Sequence, residues 1–177
     1  MRIEGGAFEV DEPEWLAMGP IGPPGRRVFF VQVESAGERL SILLEKEQAR
    51  TLASEVLGLL ERIAVEWPEG TFEPSVGVRP PIVAEPAEPL FRVATIGLGF
   101  EPERGRVLLE LHERIPAGLG DDEVLDPEGR VVRVYASRAM VRAMAEAALA
   151  SVDQGRATCP LCEFPMDPDG HACPRWN

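Results

Sequence analysis

The chain has few of the residues that most often carry chemistry. Its 177 residues include two histidines, three cysteines, one tyrosine and, among 18 basic residues, a single lysine, Lys46. No Ser/His/Asp set, no cysteine paired with a free histidine, no phosphate loop and no second metal constellation stands out, so nothing in it points first to an enzyme. A basic surplus is missing too. Thirty acidic residues leave a net charge of −12, which disfavours a nonspecific binder of nucleic-acid backbone, while local arginine clusters leave room for a patch. No stretch approaches the run of about 20 apolar residues that spans a bilayer, so no membrane association is expected. Met1-Arg2-Ile3-Glu4 does not open a signal peptide, and the expected location is the cytoplasm. An odd number of cysteines gathered at one end excludes a disulfide framework and fits a reducing compartment.

What is present is concentrated at the C-terminus. Residues 159–177 read CPLCEFPMDPDGHACPRWN and hold every cysteine and one of the two histidines. Cys159, Cys162, His171 and Cys173 form Cys-x2-Cys followed, eight residues on, by His-x-Cys. Two ligands two residues apart can curl around one ion, and Pro160 biases the turn between them. Asp167-Pro168-Asp169-Gly170 is a turn signal that brings the second ligand pair back to face the first. This is the ligand set of a closed structural Cys3His zinc site, with no position left for a reactive water. The segment has too few apolar residues to fold alone, so the metal must supply much of its folding free energy, on the order of 10 kcal/mol.

The body alternates two patterns. Residues 8–10 and 14–18 read as strands that continue or pair with each other, and residues 19–25, GPIGPPG, read as a loop. That loop is no phosphate cradle, because its prolines lack N–H groups and no helix follows. Residues 27–34 and 39–44 alternate as a hairpin about a turn at 35–38. From Glu45 the period changes to about 3.6, with Ala49, Leu52, Ala53, Val56, Leu57, Leu60, Ile63 and Ala64 on one stripe of a helix. Its other side, with Glu47, Arg50, Glu55, Glu61 and Arg62, reads as a solvated face. Trp67-Pro68 stops it, and six prolines from 68 to 89 give an extended linker. Residues 91–100 and 106–111 form a second hairpin, in which Gly97 and Gly99 mark a bulge or a close backbone approach. After an acidic loop at 116–129 come a strand at 130–135, Ser137 as a helix cap, and a stripe of Met140, Val141, Met144, Ala148 and Val152.

The stretches 45–53 and 137–145 align with each other, and each follows a strand. The fold class is therefore read as α+β: two tandem repeats of three to four antiparallel strands plus one helix, related by a pseudo-twofold, with a zinc-binding tail. The boundaries fall at 1–66 for the first repeat, 67–89 for the linker, 90–154 for the second repeat and 155–177 for the tail.

With GPPGRRVFFVQ, LEKEQA, FRVATIGLGF and the CPLCEFPMDPDGHACPRWN tail in view, the chain resembles a family of uncharacterised, mainly actinobacterial proteins that carry a full-length domain of unknown function. The tail motif is the specific part of the likeness. The second helix of that family begins Thr-Pro, where this chain has Ser137-Arg138, a departure that touches no zinc ligand. The resemblance implies a shared fold and brings no activity with it.

The leading expectation is a non-enzymatic cytosolic zinc protein whose partner is another protein, in an interaction or regulatory role. An alternative is a single-strand nucleic-acid binder, since tandem strand-rich repeats resemble the architecture of Whirly and Pur-type proteins. Exposed aromatics beside arginine, such as Arg27 with Phe29 or Arg92 with Phe91, would carry it. A lesser alternative is an enzyme with Glu110, His112 and Glu113 in a cleft between the repeats.

Overall fold

A computed structural model describes residues 1–68, 81–85, 87–114, 129–154, 159–164, 166 and 170–176. The elements are β1 (Arg2–Glu4), β2 (Ala7–Asp11), β3 (Trp15–Ile21), β4 (Val28–Ser35), β5 (Glu38–Leu44), α1 (Lys46–Glu66), β6 (Phe91–Glu101), β7 (Arg106–Glu113), β8 (Val131–Ala136) and α2 (Arg138–Asp153). All eight strands belong to one sheet, in the order β1-β2-β8-β7-β6-β5-β4-β3. The architecture is α+β, as expected, but the sheet is mixed where antiparallel strands were anticipated. β2 lies parallel to β8, and β5 lies parallel to β6. The second junction has a simple cause: α1 and the linker return the chain to start β6 in the direction of β5, and a long crossover of that kind yields parallel neighbours.

Local chemistry sets the helices. Gln48 Oε1 accepts a hydrogen bond from the Glu45 backbone N–H at 2.9 Å, one half of a capping box. Ser137 Oγ accepts from Met140 N at 3.2 Å, satisfying one of the first-turn N–H groups of α2. Trp67 N closes the last turn of α1 on Ile63 O, and Pro68 cannot continue it. Ala49, Leu52, Ala53, Val56, Leu60 and Ile63 are the buried stripe. They meet the inward side chains of β4 (Phe29, Val31, Val33), of β7 (Val107, Leu109, Leu111) and of α2 (Val141, Met144, Ala145, Ala148) in one core. Each such Val or Leu contributes about 1.5–3 kcal/mol relative to exposure. α1 packs on α2, β4 and β6, whereas α2 packs on α1, β3 and β7.

Three local expectations need correction. The strands at 8–10 and 14–18 do not pair with each other: β2 joins β1 and β8, while β3 joins β4. The loop expected from Gly19 begins only after Ile21, and Pro20 sits in register with Phe29. β3 is the last strand of the sheet, where a proline on the unpaired side removes no ladder bond. The irregularity of β6 falls between Val93 and Thr95, not at its glycines. Gly97 instead lies under a side chain, for a Cβ there would sit 3.1 Å from Glu110 Oε2.

The proline-rich connection is partly packed on the body. Ala84 N donates to Gln32 Oε1 at 2.8 Å, and Gln32 Nε2 donates to Ala84 O and to Ser41 Oγ, both at 3.0 Å. A fully buried amide is thus satisfied by the Ala84 backbone and the Ser41 hydroxyl, as burial demands.

Candidate metal centre

The tail's turn begins at Cys159, whose N–H donates to Phe164 O at 2.8 Å, while Glu163 N donates to Cys159 O at 2.9 Å. These bonds fold Cys-Pro-Leu-Cys into a knuckle. Glu163 takes φ +61°, a left-handed conformation that suits glycine better than a residue with a Cβ. From the other strand of the tail, Arg175 Nη1 donates to Leu161 O at 2.9 Å, tying the second ligand pair to the first.

The four side chains of the motif converge. Their ligand atoms all lie within 4.8 Å of one another, with Cys159 buried and the others half-buried. Cys159 Sγ is 3.8 Å from Cys173 Sγ, and Cys162 Sγ is 3.2 Å from His171 Nε2. All three cysteines are free thiols, and the group can bind a metal ion. The amides of Cys162 and Leu161 point at the Cys159 sulfur and hold its thiol below the ordinary range, while burial pushes the Cys162 thiol up. Donors aimed at a ligand sulfur favour its thiolate form. His171 Nδ1 is buried without a hydrogen-bond partner among the described residues. The turn expected at Asp167-Pro168-Asp169 lies outside them.

The other candidate residues are not brought together as one group. Strand alternation puts Glu110 and His112 on the face of β7 away from the core, and Glu113 on the opposite one. Arg133 Nε donates to Glu110 at 2.7 Å, and Arg130 Nε donates to Glu113 at 2.8 Å. Arg130 holds the Glu113 carboxyl below its usual range. Phe29 and Phe91 are buried, so neither offers a stacking face, and Arg27 Nη1 is spent on the carbonyls of Ser151 and Gln154. What went unread in the sequence is the Gln32 amide that receives the linker and a cleft beside α1, taken up below. The stripe Glu47, Thr51, Glu55 was the only available signal of the cleft, and it looks like any solvated helix face.

An eight-stranded mixed sheet, two helices packed on it and a C-terminal Cys3His group that could hold a metal ion define an α+β protein with a small appended knuckle. The chain belongs to the family described as "Protein of unknown function (DUF3090)", which matches it over residues 8–173. No curated protein and no solved structure matches it. Among the described residues, no helix is long and apolar enough to cross a membrane.

Proposed function

We propose that this is a non-enzymatic zinc protein of the cytoplasm that works as a protein-interaction or regulatory module, with Cys159, Cys162, His171 and Cys173 holding a structural Zn2+. The observation that carries the metal reading is the convergence of those four ligand atoms within 4.8 Å. A tetrahedral zinc with Zn–S bonds of about 2.3 Å keeps its sulfurs about 3.8 Å apart, and Cys159 and Cys173 have that separation. A full set of four protein ligands favours a structural ion over a hydrolytic one. When bound, the ion supplies cross-linking and charge neutralisation for three thiolates. The chain's own residues orient the ligands through Phe164 O, Leu161 O and the Leu161 and Cys162 amides.

The body is proposed to be a duplicated unit, β3-β4-β5-α1 and β6-β7-β8-α2, related by a pseudo-twofold. Strand register supports it: Phe29 faces Leu44 just before the cap Glu45, and Val107 faces Ala136 just before the cap Ser137. The helix contacts permute in the same sense, since α1 reaches β4 and β6 while α2 reaches β7 and β3. A protein partner is favoured over nucleic acid by the net charge of −12 and the burial of Phe29 and Phe91.

Metal analysis of freshly purified protein tests the site, with one zinc per chain expected. Well under half an equivalent, together with three freely titratable thiols, would defeat it. Chelation is expected to speed amide exchange across 159–176 and leave that of the helices unchanged, because their core is separate. Global unfolding on metal loss would show that body and tail are one cooperative unit.

A further inference from the structure

A cleft of about 450 Å³ runs between the first half of α1 and β6, with Leu52, Ile96 and Leu98 along its apolar part and Glu47, Thr51 and Glu55 on the helix side. β6 pairs with β7 from Val93 to Glu101, but with β5 only through Phe91 and Arg92. Beyond Arg92 its other edge has no strand partner among the described residues. That edge faces α1: Gln48 Nε2 donates to Ala94 O at 3.4 Å, and further along Trp67 packs against Phe100 with the rings tilted at 51° and their centroids 5.3 Å apart. An unpaired strand edge beside an apolar trough is the arrangement that accepts an extended peptide as an added strand.

The rim indicates the chemistry of that peptide. Glu47 and Glu55 are exposed; among the described residues Glu47 has only a 3.7 Å pair with Arg50 and Glu55 has no ion pair. Eight helical residues separate the two carboxylates, about 12 Å along the axis at 1.5 Å per residue. Strand residues i and i+4 are about 13 Å apart at 3.3 Å per residue, and both point to the same face as i+2. We propose that this cleft binds an extended segment of a partner protein, carrying basic residues at i and i+4 and an apolar residue at i+2. The segment pairs with the edge of β6 beyond Arg92, its apolar side chain settles over Leu52, Ile96 and Leu98, and its two cations meet Glu47 and Glu55. This deepens the interaction-module reading and rests on it.

The probe is a library of random 12-residue peptides displayed on phage and selected on the immobilised full chain. Enriched peptides should share basic-x-apolar-x-basic with no proline inside the motif. A synthetic peptide of that sequence should slow amide exchange in 95–100. Two variants at exposed positions test the placement without touching the core: Thr51→Trp, which fills the cleft, and the double reversal Glu47→Lys with Glu55→Lys. Each should weaken the peptide at least tenfold. Failure to enrich any peptide, an acidic or patternless motif, or full affinity in Thr51→Trp would overturn the proposal. A protein partner recovered on wild-type and equally well on both variants would also overturn it while leaving the interaction-module reading intact. If no peptide enriches and no protein partner is found, that reading fails with it.

Discussion

The proposed duplication matches β3 and α2 with β6 and α1, and these two regions pack differently. α2 lies close on β3: a Cβ built on Gly19 would come 3.6 Å from Ser151 Oγ and 3.7 Å from Val83. The register that sets Gly19 against Phe30 sets Gly99 against Leu108 in the matched region, and a Cβ on Gly99 would meet no described residue within 4 Å. The difference lies in the helix faces. Where α1 has Glu47, Thr51 and Glu55, all exposed, α2 has Ala139, Ala143 and Ala147 at the corresponding distances from its cap, all half-buried. Carboxylates must keep their water, so that face of α1 cannot close on a strand without a large desolvation cost; alanines carry no such demand. Three side chains on one helix thus bear on whether a strand is covered by the helix or, among the described residues, left with an unpaired edge.

The strongest test places a charge at the matched buried positions. Met144 and Leu52 are 0% and 4% exposed, yet only Leu52 borders the cleft. Met144→Asp leaves a carboxylate with no route to water and should cost about 4 kcal/mol, whereas the new carboxylate of Leu52→Asp can turn toward solvent and should cost about 2 kcal/mol. Urea unfolding of both variants gives the comparison. Equal losses would mean that the α1 face is as closed in solution as the α2 face.

That contrast was not legible in the sequence, although much of the rest was. Both helices, the cap at Ser137 and the apolar stripes follow from local sequence, and the Cys3His cluster follows from spacing alone; the cap at Glu45 does not. The parallel junctions do not. Nothing local in 7–11 says that it will pair with 131–135, since partners distant in the chain leave no pattern within either segment. β1, at three residues, is too short to show an alternation, and Pro20 looked like a breaker because its place at the sheet edge is a property of the whole sheet. The stripe Glu47, Thr51, Glu55 has the same period whether it faces bulk water or a cleft. Only the distance between α1 and β6 tells these apart.

A gentler test uses the two glycines. Gly19→Val would add methyl groups between Ser151 and Val83 and should cost about 2 kcal/mol from overpacking. Gly99→Val meets no described residue and has a strand backbone to occupy, so it should lie within about 0.5 kcal/mol of wild type or gain slightly from strand propensity. Thermal unfolding of the pair sharpens the comparison: a loss at Gly99 as large as at Gly19 would mean that α1 closes on β6.

The smallest expected effect concerns how each half closes its last hairpin. β4 and β5 are joined by Ala36 and Gly37 alone, with φ of +53° and +76°, the left-handed pair of a tight hairpin turn. β7 and β8 are joined by residues 114–130, and closing so long a connection costs entropy that a two-residue turn does not. Glu113 and Arg130 staple its base: Arg130 N and Nε both donate to Glu113 Oε2, at 3.0 and 2.8 Å. Arg130 is what chiefly lowers the Glu113 pKa. A carboxyl whose pKa is lower folded than unfolded stabilises the fold above its unfolded pKa of about 4.3, and that contribution is lost as pH falls through the folded value. The side chains are 21% and 41% exposed, so water screens the pair, and Glu113→Gln should cost about 1 kcal/mol at pH 7. The gap between wild type and Glu113→Gln should stay constant down to about pH 5 and close below pH 4. Glu38→Gln, at the corresponding end of β5, should stay within about 0.5 kcal/mol throughout, because a turn rather than an ion pair closes that hairpin. Chemical denaturation of the three proteins across this range gives the curves. A gap that widens as pH falls would reverse the sign and remove the ionic staple from the account.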